Sequence, residues 1–331
     1  MRAFRLHKAS PDESRPLAAD EVPKPVPGPG QVLVRVLACG VCHTDLHLVQ
    51  GEIVPPRYPV VPGHQVVGRV DEVGQDVAGF SSGERVGLPW LFSTCGECEF
   101  CRRGEENLCP QARFTGFHVD GGFAEWVVAQ ARFLLRLPPD IDNASAAPLL
   151  CAGIIGYRSL RKADLQPGDV LGLIGFGASA HLALQVARHW HCPVYVFTRG
   201  PSHRDLAASL GAAWVGGLDD VPPGPVDRAV LFAPDGDMVP KTLGLLRPGG
   251  TLAVNALHMS EIPSFPYSLL YGERTIRSVA NATRQDGKEF LQLAGEIGLR
   301  PTVRTYRLED ANQALDDVRH SRVDGAAVLT P

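Results

Sequence analysis

No run of apolar residues in this sequence approaches the roughly 20 that a membrane-crossing helix needs, so no membrane partner is expected. The first ten residues hold no apolar signal core either. Arg2, Arg5, His7 and Lys8 interrupt them, and the cytoplasm is the expected compartment. Basic residues are not in excess: the formal charge is -4, which provides no electrostatic footprint for nucleic acid. Internal repeats and low-complexity segments are missing, and with 44% hydrophobic and 21% charged residues the composition excludes a disordered chain. Without a secretion signal, the eight cysteines are better explained by metal binding than by disulfides, because cytosolic reductants keep thiols reduced.

What is present is enough chain for two packed domains, since 331 residues is about twice the usual single-domain size. Residues 1–150 are rich in Gly and Pro and carry β-type runs at 32–38, 66–73, 84–90 and 123–129, separated by turns such as Pro27-Gly28-Pro29-Gly30. That pattern predicts an irregular all-β domain. Near Cys151 it changes: an apolar strand at 170–174 meets a Gly-rich turn, a helix at 178–190 and a strand at 194–198, forming a βαβ unit. Further strands at 212–215, 228–232, 251–255 and 275–279 bring the number to six and predict an α/β, Rossmann-type doubly wound parallel sheet over 151–280. The tail, 281–331, reads as helix 287–297, a short strand, helix 308–320 and an apolar end at 326–329, and is expected to return to the first domain.

Cys95, Cys98, Cys101 and Cys109 follow Cys-x2-Cys-x2-Cys-x7-Cys spacing, with Gly96 and Gly104 allowing the backbone to turn. Four converging thiolates satisfy a tetrahedral zinc ion and leave no position for water, which makes such a site structural. An iron-sulfur cluster is the rival metal reading, because Cys-x2-Cys-x2-Cys also serves there. The x7 gap before Cys109 departs from the ferredoxin x3 spacing, although Pro110 follows. Unrelated buried thiols are the bland alternative.

The residues Gly175-Phe176-Gly177-Ala178-Ser179-Ala180 lie between a strand and a helix, the context a dinucleotide fingerprint demands. Glycines allow the tight turn and close backbone approach, the helix N-terminus offers amides to a pyrophosphate, and Ala180 is small enough for helix-strand packing. After the second strand an NAD enzyme should present Asp or Glu to the ribose; this chain has Thr198-Arg199-Gly200. With no carboxylate to repel a 2′-phosphate, and with Arg199 and Arg204 available to bind one, NADP is the preferred form of NAD(P). A solvated Arg199 is the competing explanation.

The stretch Cys39-Gly40-Val41-Cys42-His43-Thr44-Asp45-Leu46-His47, then Pro62-Gly63-His64, the cysteine lobe, Leu150-Cys151-Ala152-Gly153 and the fingerprint occur in the order seen in zinc-containing medium-chain alcohol dehydrogenases. The chain resembles that family over essentially its whole length. The resemblance implies a GroES-like catalytic domain and a catalytic zinc held by Cys42, His64 and Cys151, making two zinc ions per chain. Three protein ligands leave a fourth position for water or a substrate oxygen. It further implies that Asp45 accepts a hydrogen bond from the outer nitrogen of His64, that Thr44 and His47 relay the alcohol proton, that His43 lies near the cofactor pyrophosphate, and that Trp90 lines the substrate channel. Taken singly, these residues also have ordinary readings as a core thiol, a turn aspartate, a loop histidine and a packing tryptophan. Gln65 replaces the usual Glu after the ligand histidine, removing a negative charge near the metal, and Ile155 stands where relatives often carry Thr or Val. Cys39 and Cys192 belong to neither set.

The expected activity is hydride transfer between NAD(P) and a small primary alcohol or aldehyde, by a homodimer or homotetramer as is common among relatives. Two rivals stay open. A zinc-free quinone or enone reductase of the same fold is opposed by the Cys42, His64 and Cys151 set, whereas a non-enzymatic zinc-binding interaction protein would need only the cysteine lobe.

Overall fold

The computed structural model describes residues 1–9, 11 and 13–331. Ser10, the end of the stretch screened for a signal core, lies outside the described residues. The chain forms two compact units, Met1–Ile154 with Asn281–Pro331, and Ile155–Ala280. Their boundary falls inside the helix Ala152–Lys162, four residues beyond the change of pattern read at residue 150. Among the described residues, no helix is long and apolar enough to cross a membrane.

In the first unit a seven-stranded sheet is built around the long strand Gln31–Val41, which pairs antiparallel with Gln65–Val73, Trp126–Gln130 and Ala326–Thr330. The last of these comes from the tail segment, which so joins the sheet built on Gln31–Val41. Val32, Val34, Val66 and Val328 are fully buried there, as β-branched residues on a pleated core face should be. Gly40 sits opposite Gln65 in the register, and a Cβ on it would come within 2.8 Å of the Gln65 side chain, so only glycine lets that buried amide lie across the strand. The unit also contains helices that the strand pattern did not announce, His43–Gln50 above all, because the chemistry-bearing residues of that stretch mask its apolar spacing.

In the second unit six parallel strands, Leu171–Ile174, Val194–Phe197, Trp214–Gly216, Val226–Leu231, Leu246–Val254 and Thr275–Ser278, lie in the spatial order third, second, first, fourth, fifth, sixth. This is the doubly wound order, and ligands of such sheets bind where it reverses, at the carboxyl end of the first strand. All four residues of Leu171–Ile174 are buried, which explains its unbroken apolar run. The fifth strand starts five residues earlier than the 251–255 reading, because Leu246 already pairs with Val226 although Pro248, Gly249 and Gly250 read as a turn. The expected helix 308–320 divides into a 3-10 turn, Leu308–Asp310, and an α-helix, Ala311–Arg319.

Candidate active site

Cys42, His64 and Cys151, far apart in sequence, offer ligand atoms that all lie within 4.8 Å of one another. His64 is completely buried, and its Nε2 has no hydrogen-bond partner among the described residues. An orphaned imidazole nitrogen costs free energy unless something outside the described atoms engages it. Two sulfurs and one such nitrogen form a donor set suited to zinc, with one position left over. The three groups also act strongly on one another. The hydrogen bond from Cys151, opposed by burial and reinforced by His64, holds the Cys42 thiol well below its ordinary pKa, whereas donating that bond, with desolvation added, pushes Cys151 well above. Burial works against a charged His64, but Asp45 and Cys42 outweigh it and push the imidazole up to about 10.

The loops bearing these ligands are tied together by Asp45, which is buried. Its carboxylate accepts hydrogen bonds from the Cys42 amide at 2.9 Å through Oδ2 and from the Gly63 amide at 3.0 Å through Oδ1. His64 Nδ1 stands 3.5 Å from Oδ1 without completing a hydrogen bond. The implied Asp45–His64 bond is thus an ion-pair contact here, its geometry falling short of a hydrogen bond. Cys42 caps the helix His43–Gln50, on which Thr44 and His47 lie three residues apart and so on one face. The Cys42 thiol points at Thr44 Oγ1, 3.7 Å away; half-buried His47 contacts Glu52, and His43 is exposed.

Trp90 meets His64 edge-to-face, with ring centroids 4.8 Å apart, and stacks on Phe114 at 4.9 Å. It therefore abuts a candidate ligand. Gln65 is buried, and its Oε1 has no hydrogen-bond partner among the described residues.

The four lobe cysteines also converge, their sulfurs all within 4.8 Å. Gly96 and Gly104 adopt left-handed φ values of 78° and 73°, which lets the loop double back. Backbone N–H groups of Glu97 and Cys98 bring Cys95 down to about 6. The helix between the cysteines, Glu99–Arg102, buries none of its residues, so apolar packing contributes little here. Sequence reasoning missed the lobe's other tie: buried Glu106 accepts from the Arg284 backbone N–H and guanidinium, which lies over the Phe133 ring at 4.6 Å. No spacing rule joins residues so distant.

In the second unit Gly175 has a φ of 86°, and a Cβ there would stand 3.1 Å from the Ala233 amide. Gly177 caps the helix Ala178–His189 with open space where a Cβ would be, and Ala180 is fully buried. His181, also missed, is buried with Nδ1 3.3 Å from the Gly177 carbonyl, and burial pushes it down to about 4, so the first turn carries no histidine charge. Thr198 is buried, Arg204 donates through Nε to the Thr198 carbonyl at 3.0 Å, and Arg199 is exposed.

The profile of the alcohol dehydrogenase GroES-like domain matches residues 28–139. A probable alcohol dehydrogenase of Mycobacterium tuberculosis is 46% identical over 99% of this chain and 97% of its own. The chain belongs to the medium-chain alcohol dehydrogenase family and is an oxidoreductase of that type. Among solved structures, the alcohol dehydrogenase of the archaeon Aeropyrum pernix matches with a TM-score of 0.90 at 31% identity over the whole of both chains. The cobalt- and zinc-bound thermostable alcohol dehydrogenase of Pyrobaculum aerophilum gives 0.91 at 25% identity, covering 100% of this chain and 99% of that one.

Proposed function

We propose that this protein is a zinc-dependent alcohol dehydrogenase or aldehyde reductase that prefers NADP and acts on small primary alcohols and aldehydes. The observation that carries the reading is the convergence of half-buried Cys42 and Cys151 on buried His64, whose Nε2 has no hydrogen-bond partner among the described residues, a set of three donors with one position open. A relative that binds zinc supports it. Cys42, His64 and Cys151 would hold the catalytic ion and Cys95, Cys98, Cys101 and Cys109 the structural one, two per chain. We assign catalysis to Met1–Ile154 with Asn281–Pro331, and nucleotide binding to Ile155–Ala280. When bound, the zinc supplies Lewis acidity to the substrate oxygen and the nicotinamide accepts or donates the hydride.

The chain's own residues do the rest. Asp45 clamps the backbone at Cys42 and Gly63 and so fixes the ligands beside them. Thr44 Oγ1 accepts the alcohol proton as it gives up its own, and His47, on the same helix face and half-buried, takes up the released proton at the outer end of the relay. Gly175, Gly177, Ala178 and Ala180 leave the helix N-terminus open to a pyrophosphate. His43 is the further candidate for that contact. Elemental analysis should find two zinc atoms per chain, and a steady-state screen of alcohols and aldehydes with NAD and NADP should show turnover that is faster with NADP. One zinc atom per chain, or turnover confined to quinones and enones, would overturn the reading.

Thr198 and Arg199 are proposed to select NADP, with Arg204 anchored beside them. Changing Thr198-Arg199 to Asp-Gly should move the kcat/KM ratio toward NAD by about ten- to a hundredfold, the worth of one charge-assisted contact of roughly 1.5–3 kcal/mol. A parent enzyme that already favours NAD would refute this assignment. Trp90, beside His64, is proposed as a wall of the substrate pocket. Trp90→Ala should raise kcat/KM for secondary alcohols relative to ethanol by roughly tenfold or more, since one apolar contact discriminates by about 1–3 kcal/mol. The check is a chain-length and branching series.

A further inference from the structure

Trp90 is held from three directions. Its carbonyl accepts from the Thr115 amide at 2.9 Å, its ring stacks on Phe114 with an interplanar angle of 12°, and its Nε1 donates to Asn281 Oδ1 at 3.1 Å. The last bond joins residues 191 positions apart, and neither composition nor motif hinted at it. An indole nitrogen can only donate, so the group facing it must be the amide oxygen of Asn281. Asn281 is the first residue of the tail segment of its unit and has a φ of 53°, the left-handed region that asparagine tolerates better than most residues. Its backbone conformation therefore suits the residue type, and its side chain is aimed at the one polar atom of the Trp90 ring.

We propose that Asn281 is a specificity-determining positioning residue: by holding the Trp90 indole N–H it fixes the ring edge-to-face with His64 and keeps a polar hydrogen from facing the substrate. The inference rests on the reading of Trp90 as a pocket wall. Stacking on Phe114 alone permits the indole to slide and rotate in its own plane, whereas a hydrogen bond at Nε1 removes that freedom. Without the bond the ring gains room to turn, the N–H needs a new acceptor, and branched substrates find space that the parent denies them.

The test uses the full-length, zinc-loaded enzyme. Asn281→Gly keeps the left-handed backbone and removes the acceptor; Asn281→Ser shortens the side chain without adding glycine's backbone freedom; Asn281→Asp retains an oxygen at the same reach. The first two should raise the kcat/KM ratio of 2-propanol to ethanol by about three- to tenfold, the net worth of one hydrogen bond, while Asn281→Asp stays near the parent. In a Trp90→Ala background the same changes should leave the ratio where Trp90→Ala alone puts it. A second readout is independent of turnover: the near-ultraviolet circular dichroism difference between parent and Asn281→Gly should vanish when both carry Trp90→Phe. A parental ratio in Asn281→Gly and Asn281→Ser, with Trp90→Ala shifting it, overturns the role of Asn281 and leaves the pocket reading standing. An unchanged ratio in Trp90→Ala overturns the pocket reading itself. An Asn281 effect that persists without Trp90 overturns the proposal by showing another route.

Discussion

Serine in place of Cys151 is expected to stop turnover, by at least about a thousandfold, in a protein that still melts close to the parent temperature. Even removing an outer partner of a metal ligand typically costs roughly 10–100-fold, and here the proposed ligand itself is exchanged for a hydroxyl that does not ionise near neutrality. The fold should tolerate the change. Cys151 is half-buried, stands between the 3-10 turn Pro148–Leu150 and the helix Ala152–Lys162, and differs from serine by one atom. The core beside it, Leu149 and Leu150, remains fully packed. Kinetics, a thermal melt and elemental analysis on the same preparation check the result, with zinc expected to fall from two to one per chain. A well-folded Cys151→Ser protein with full activity would remove this residue from the catalytic set.

Cys98→Ser should behave in the opposite order, losing stability first and activity only as a consequence. The lobe has little else to hold it: its helix Glu99–Arg102 buries no residue, and Leu108 is 43% exposed. A closed four-thiolate site contributes its binding free energy, about 10–16 kcal/mol in small zinc domains, directly to folding. Losing one ligand forfeits only part of that sum, enough for a fall in Tm on the order of 10 °C in a unit of this size. The Glu106–Arg284 contacts remain and should hold the base of the lobe, so residual activity at low temperature is expected. A mutant that has lost the structural zinc yet melts with the parent would contradict this account.

The contrast between these two variants follows from how each site is encoded. The lobe cysteines lie within fifteen consecutive residues, so their spacing alone restricts how far apart the sulfurs can be, and the left-handed Gly96 and Gly104 were legible as the turns required. The same holds for Gly175 to Ala180, where a strand, a turn and a helix are neighbours in the chain. For the open set, by contrast, Cys42, His64 and Cys151 were found through a likeness to a family, because nothing local distinguishes one buried thiol from another. The helix His43–Gln50 went unread for a related reason: Cys42, Asp45 and His47 are chosen for chemistry, and only Leu46, Leu48 and Val49 remain to mark a buried face.

By itself the sequence determined the doubly wound sheet, the four-cysteine lobe, the glycine-rich turn at Gly175 and the absence of a carboxylate after the second strand. Each is a short-range pattern, set by side-chain alternation, turn chemistry or spacing over a few residues. Tertiary structure decided what depends on long-range closure: that Oδ1 of Asp45 is occupied by the Gly63 amide, that Trp90 stands against His64, that Arg284 secures Glu106, and that Asn281 holds the indole. Two of those contacts, Arg284 with Glu106 and Asn281 with Trp90, join the tail segment to the first part of its unit. A hydrogen bond between distant residues leaves no periodic trace in the chain, because its free energy depends on distance and direction in space and not on separation in sequence.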